Sequence, residues 1–175
     1  CLREADILHF IKSETAYSIM INLTISEAMT AADGQLVHCE DPAYIGDMFI
    51  EGITLDSRKV KPDWLFIADK GERADGHDYV ESAQRSGAAA AVVEHELDIP
   101  IPQILVENSL RAMQRIAGYI REKSGVKVIG VVGSVGKTST RQMLSCVLEQ
   151  KFSVLSTEGN FNNEYGLPQT FFRLE

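Results

Sequence analysis

The chain has 175 residues, 45% of them hydrophobic and 24% charged, enough for one packed domain and part of a second. A net charge of −8 argues against a broad nucleic-acid or anionic-membrane surface, which needs clustered Lys and Arg, so a phosphate ligand has to be met locally. Cys1, Cys39 and Cys146 lack any paired spacing, which disfavours a disulfide framework and a zinc site and fits a reducing cytoplasm, and no apolar run approaches the ~20 residues of a membrane span.

Residues 1–19 carry Arg3, Glu4, Asp6, Lys12 and Glu14 and no sustained apolar face, and read as an extension or upstream segment dispensable for stability. Met20 opens a convincing start, because Thr24 and Glu27 form a capping box for a helix that runs to Gly34. Strands are predicted at 35–39, 49–55 and 64–68, then a helix from His77 to Ser86 closed by Gly87, then strands at 88–94 and 103–106. Asn108 caps the next helix, in which Leu110, Met113, Ala117 and Ile120 recur at helical spacing. Lys123-Ser-Gly-Val126 interrupts that pattern and marks a domain boundary. Lys127–Val132 reads as a buried strand, and residues 137–150 as a helix presenting Met143, Leu144, Val147 and Leu148 on one face. With a second strand before Thr157 these form a βαβ unit, a parallel pair that belongs to a larger sheet. The chain begins at Cys1 and ends in Phe171-Phe-Arg-Leu-Glu175, which reads as the first turns of a helix, so both ends are expected to lie inside a longer chain. The fold class is α/β: a small N-terminal domain over 20–124, then over 125–175 the truncated start of a P-loop, parallel-sheet nucleotide domain.

The glycine loop between the last strand and helix carries the chemistry. Gly133, Ser134, Val135, Gly136, Lys137, Thr138 and Ser139 follow an apolar strand and open a helix, so backbone N–H groups and the helix's positive end converge on one anion. Lys137 is placed to reach the β and γ phosphates of a nucleotide and the Thr138 hydroxyl to sit on Mg²⁺. Val131 stands where the strict phosphate-loop pattern has glycine, so only its G-x-x-G-K-T core is present.

Three other loops hold polar groups. Asp56-Ser57-Arg58 ends a strand and Gly71-Glu-Arg-Ala-Asp-Gly-His77 follows the next, so the two could converge on a ligand; ordinary turn chemistry, above all at Asp75-Gly76, explains them equally well. Thr157-Glu-Gly-Asn-Phe-Asn-Asn-Glu-Tyr-Gly166 follows the second strand of the βαβ unit, on the sheet edge that carries the phosphate loop. Its three asparagines suit phosphate or sugar oxygens, and a long turn tolerant of unusual φ is the alternative.

Asp56-Ser-Arg58, Gly71-Glu-x-x-Asp-Gly-His77, Gly133-Ser-Val-Gly-Lys-Thr-Ser139 and Gly159-Asn-Phe-Asn-Asn-Glu-Tyr-Gly-Leu-Pro168 together resemble the Mur ligases of peptidoglycan synthesis, in family order over about residues 20–175. The last motif is most similar to that of the member that joins D-alanyl-D-alanine to UDP-N-acetylmuramoyl-tripeptide. The resemblance implies an enzyme with a uridine-nucleotide domain, a central ATPase domain and a C-terminal domain for the incoming dipeptide; it is expected to be cytoplasmic and monomeric. It implies ATP and Mg²⁺ as cofactors, with the substrate carboxylate attacking the γ-phosphate to form an acyl phosphate that the D-alanyl-D-alanine amine displaces. Ser57, Arg58, Glu72 and Arg73 are then candidates for the uridine pocket. Asn160, Asn162 and Asn163 would face the diphosphate or muramoyl end, with Lys137 and Thr138 catalytic and Thr138 the metal ligand. Val132 stands where relatives usually have Thr. The family's further Mg²⁺-binding glutamate, its carbamylated lysine and its amino-acid-binding domain would lie beyond Glu175, so this chain is not expected to ligate alone. A non-catalytic UDP-sugar-binding module, or a sister ligase with another amino acid substrate, are the competing readings.

Overall fold

In a computed structural model, residues 5–12 are described by their backbone and residues 23–71, 74–159 and 163–174 in full. In chain order the elements are β1 (Ala5–Lys12), β2 (Leu23–Thr24), α1 (Ile25–Ala32), β3 (Gln35–Val37), α2 (Pro42–Gly46), β4 (Phe49–Ile50), β5 (Gly52–Thr54) and β6 (Trp64–Ile67). There follow α3 (Val80–Arg85), β7 (Ala90–Val93), β8 (Gln103–Leu105), α4 (Ser109–Ser124), β9 (Lys127–Val132), α5 (Lys137–Leu148), β10 (Ser153–Ser156) and α6 (Gly166–Phe171). Short 3₁₀ turns occupy Ser57–Lys59 and Gly76–Tyr79.

The first body is a five-stranded sheet in the order β3-β8-β7-β6-β5, parallel except for β3. Its central strands are apolar on both faces, as strands sandwiched between helices must be. Leu65, Ile67, Ala90, Val92 and Ile104 pack with α1, α4 and α6, whereas Phe66, Ala68, Ala91 and Val93 pack with Val80 and Ala83 of α3. The period of two in a strand assigns each residue to its layer.

The capping box forms as expected: Thr24 Oγ1 accepts from Glu27 N at 3.2 Å, and Glu27 Oε2 accepts from Thr24 N at 3.0 Å. The helix stops earlier than the glycine suggests. Asp33 takes the left-handed conformation, φ 58°, and Gly34 serves close approach, since a Cβ there would meet Ile104 Cγ2 at 2.8 Å and Leu105 O at 2.9 Å. The 49–55 strand divides in two: Phe49–Ile50 pairs with β2 in a separate ribbon, and Gly52–Thr54 joins the main sheet. The predicted 77–86 helix starts as a 3₁₀ turn, and α2, capped by Asp41 and opened by Pro42, went unread.

Glu27 also joins α1 to α4, accepting from Tyr119 Oη at 2.8 Å and Lys123 Nζ at 2.6 Å. Burial pushes this carboxyl up, but the bonds from Lys123, Thr24 and Tyr119 outweigh it and hold the group below the ordinary 4.5. A depressed folded value stabilises the fold above the unfolded value and ceases to do so as pH falls through the folded one. Glu27→Ala is therefore expected to cost about 1–2 kcal/mol at pH 7 and distinctly less at pH 3, read by urea unfolding at both. An equal cost at the two pH values would contradict this assignment.

The second sheet has the order β10-β1-β9. Both β9 and β10 run antiparallel to β1, hence parallel to each other, as the βαβ reading requires. They are not neighbours, however, because β1 lies between them. The expectation that residues 1–19 pack on nothing is corrected for 5–12: β9 and β10 present unpaired N–H and C=O rows, and a run rich in Ile, Leu and Phe satisfies both. Nor is β9 buried. Val132 is 71% exposed, and on α5 Met143 and Val147 are 70% and 69% exposed, so half of the apolar face predicted for that helix points to solvent. A parallel strand is buried only when helices cover both faces, and here α5 is the main helix against the sheet, with Leu155 of β10 reaching the apolar cluster of the first body.

Candidate functional site

The parallel strands β5, β6, β7 and β8 end on one edge of the first sheet, which is where open α/β sheets take ligands. From β5, Thr54 Oγ1 accepts from Asp56 N at 3.1 Å, and Asp56 caps the following turn by accepting from Arg58 N at 3.1 Å. The Arg58 guanidinium lies along the same carboxylate, Nε at 2.8 Å and Nη2 at 2.9 Å, and its bonds hold the Asp56 carboxyl below the usual carboxylate range. Arg58 remains 87% exposed in its side chain, so the pair orients the guanidinium more than it stabilises the fold. Ser57 is half-buried beside it.

The loop after β6 emerges next to that turn, since β5 and β6 are adjacent. Glu72 and Arg73 lie outside the described residues. The closing part of the loop is tightly built: His77 Nδ1 is 2.5 Å from Asp75 Oδ1, and His77 Nε2 accepts from Glu94 N at 2.9 Å. The acceptor role of Nε2 places the ring proton on Nδ1, directed at Asp75, whose carboxyl is lowered by the His77 backbone N–H and by the ring. Beyond β7, Glu94 Oε1 accepts from Ser109 N at 2.8 Å and thus caps α4 from outside the helix. Ser109 is fully buried, and its Oγ shares one proton between Glu94 Oε1 at 2.8 Å and Asp69 Oδ1 at 2.6 Å.

In the second body the glycine loop joins β9 to α5 as expected. Gly136 takes φ 79° as the residue before the helix, and no side chain caps the first turn of α5, whose N–H groups face the loop. Lys137 Nζ donates to Gly133 O at 2.7 Å, across the loop it belongs to. Ser134, Val135, Thr138 and Ser139 are exposed around it. Loop, helix start and the Lys137 ammonium thus converge, the arrangement that suits an anion.

The asparagine loop starts at the end of β10. Asn160 and Asn162 lie outside the described residues, whereas Asn163 Oδ1 accepts from Gly166 N, the first N–H of α6, at 2.7 Å. Arg141, on α5, donates to Thr157 Oγ1 at 2.9 Å and to Gly159 O at 3.3 Å. At the other end Gln114 Nε2 donates to Glu164 O at 3.3 Å, and Tyr165 bonds to Asp69. Burial first, then that bond, pushes the Tyr165 hydroxyl up to about 12. The loop therefore bridges the phosphate cradle and the carboxyl edge of the first sheet. Residues 49–132 match the model of the Mur ligase family, catalytic domain, and residues 131–175 that of the Mur ligase middle domain.

The chain belongs to the Mur ligase family. Among individual relatives, the UDP-N-acetylmuramoyl-tripeptide--D-alanyl-D-alanine ligase of Escherichia coli (strain K12) is 37% identical over 155 residues, 89% of this chain and 33% of its own. That of Bacillus subtilis (strain 168) is 40% identical over 154 residues, 86% of this chain and 33% of its own. The chain thus spans about a third of the length of the curated relatives it matches. A crystal structure of MurF from Acinetobacter baumannii superposes with a TM-score of 0.72 at 28% identity, over 87% of this chain and 33% of that one. MurF from Thermotoga maritima in complex with ADP gives 0.57 at 32% identity, over 69% and 28%.

In this Mur ligase chain the structure brings together the Asp56–Arg58 turn and the 71–77 loop on one edge, and ties the asparagine loop to both bodies. Asp69, Glu94, Ser109, Arg141 and Tyr165 were not singled out from sequence. Asp69 and Glu94 each follow a buried strand by one or two residues on the ligand edge, a positional signal that could have found them. Among the described residues no helix is long and apolar enough to cross a membrane.

Proposed function

We propose that the chain is the amino-terminal part of an ATP-dependent ligase that adds D-alanyl-D-alanine to UDP-N-acetylmuramoyl-tripeptide in cytoplasmic peptidoglycan synthesis. The observation that carries this is the asparagine loop, anchored at Thr157 and Gly159 beside the phosphate cradle and at Glu164 and Tyr165 on the carboxyl edge of the first, largely parallel sheet. Residues 20–124 receive the uridine nucleotide, with Ser57, Arg58, Glu72 and Arg73 at the pocket, and 125–175 open the ATP-binding domain. Asn160, Asn162 and Asn163 are assigned to the diphosphate or muramoyl end of the substrate. The N–H groups from Gly133 to Ser139 and the Lys137 ammonium hold the nucleotide phosphates, and the Thr138 hydroxyl holds Mg²⁺. When bound, ATP and Mg²⁺ supply activation of the substrate carboxylate as an acyl phosphate. Lys137 neutralises charge where the phosphoryl group transfers, the position at which such enzymes gain most of their rate.

Phosphate release is the test. The longer protein carrying this chain is expected to release phosphate from Mg-ATP when given UDP-N-acetylmuramoyl-tripeptide and D-alanyl-D-alanine together. Single L-amino acids in place of the dipeptide should not support it. Release with a single amino acid instead would make the protein a sister ligase, and no release under either condition would leave a binding module. The 175-residue chain alone is expected to release none, because its cradle joins a strand and a helix whose apolar residues Val132, Met143 and Val147 lie open to water. A catalytic constellation must be held to within ~0.5 Å, which a half-covered sheet does not provide.

A further inference from the structure

Arg141 sits four residues after Lys137 on α5, so the two long cations lie on the same helix face, one turn apart. Lys137 points across the phosphate cradle to Gly133 O. Arg141 points to the entry of the asparagine loop, where its Nη1 donates both to the Thr157 hydroxyl, 3% exposed as a residue, and to the Gly159 carbonyl. Gly159 has φ 48°, a conformation that glycine enters and leaves without steric cost, so its own backbone does little to fix the direction of its carbonyl. A planar guanidinium reaching two acceptors from one nitrogen fixes the chain direction at that point, which a single flexible contact would not do. The far end of the loop is fixed independently by Tyr165 on Asp69 and Gln114 on the Glu164 carbonyl.

We propose that Arg141 is a positioning residue that sets the asparagine loop in register with the phosphate cradle, so that the helix gripping the nucleotide also places the loop that meets the muramoyl substrate. It touches neither ligand. Its action is through Thr157 and Gly159, and the proposal rests on the ligase reading given above. A loop shifted by about 1 Å at its root carries its asparagines away from a substrate aligned by the rest of the site, and such misplacement commonly costs ten- to a hundredfold.

The test uses this 175-residue chain as wild type, Arg141→Met and Arg141→Lys, with two readouts. Amide hydrogen exchange at Thr157 to Gly159 is expected to quicken about tenfold in Arg141→Met, while the thermal midpoint stays within about 2 °C, as for a surface substitution. Calorimetric titration with UDP-N-acetylmuramoyl-tripeptide is expected to show a Kd raised about tenfold in Arg141→Met and within about threefold of wild type in Arg141→Lys, which keeps a donor there. Unchanged exchange at those amides overturns the hold, whatever the affinities. Faster exchange with unchanged affinity overturns the coupling to substrate. A wild-type chain that binds no substrate removes the functional reading and the coupling with it, an outcome told apart from failure of the hold by the exchange result.

Discussion

If the proposed ligase reading holds, Lys137→Ala in the longer protein is expected to lower kcat by at least about a thousandfold, about 4 kcal/mol of transition-state stabilisation, while affinity for the UDP-substrate stays within about threefold. The split follows from where the residue stands. Lys137 opens α5, behind the loop formed by Gly133 to Gly136, and its ammonium already spans that loop to the Gly133 carbonyl. The uridine candidates Ser57 and Arg58 belong to the turn after β5, on the other sheet. Removing the cation leaves phosphoryl charge uncompensated where it develops, and it leaves the uridine edge untouched. Steady-state kinetics and calorimetry on the variant decide it. Turnover within tenfold of wild type, under about 1.4 kcal/mol, would mean that Lys137 does not clamp the transferring phosphate.

Gly76→Ala is the second large effect, expected to destabilise the fold by about 1–3 kcal/mol and to weaken UDP-substrate binding at least tenfold. Asp75-Gly76 reads in sequence as a turn pair chosen for backbone freedom. The structure gives another reason: Gly76 has an ordinary φ, but a Cβ there would lie 2.5 Å from Asp69 N and 2.6 Å from Asp69 O. Those are backbone atoms that cannot rotate aside. Gly76 N also donates to Asp69 O at 2.9 Å, so the added carbon would push the 71–77 loop away from the segment that carries the Asp69, Ser109 and Glu94 network. Gly118 supplies the contrast. It lies in the middle of α4 with nothing within 4 Å of an added Cβ, and Gly118→Ala is expected to stabilise by roughly 0.5–1 kcal/mol. Urea unfolding of the two variants should therefore move in opposite directions, and parallel shifts would refute the close-approach argument.

Much of the fold and site was readable because it is written in local chemistry. The Thr24–Glu27 box, the Asn108 cap and the glycine loop before Lys137 each depend on residues within four positions of one another, and each is in place. The central strands were readable as continuous apolar runs for the same reason. What escaped depends on distant partners. Nothing local to 5–12 says that two strands more than a hundred residues later will accept it between them. Helical spacing marks Met143, Leu144, Val147 and Leu148 as one face but does not say whether a layer covers it, and Met143 and Val147 are left open. Arg141 looks in sequence like one more surface cation of a helix. Only the fold shows that the start of the asparagine loop passes beside it.

The carboxyl edge carrying Asp56 to Arg58, Asp69 and His77 is proposed to receive the uridine nucleotide of a muramoyl-peptide. Calorimetric titration of the 175-residue chain with UDP-N-acetylmuramoyl-tripeptide addresses it most directly, with Arg58→Ala as the matched variant. Saturable one-to-one binding is expected, weakened at least about tenfold in Arg58→Ala by loss of a charge-assisted contact. A chain that is folded by circular dichroism yet takes up no UDP-substrate would contradict it.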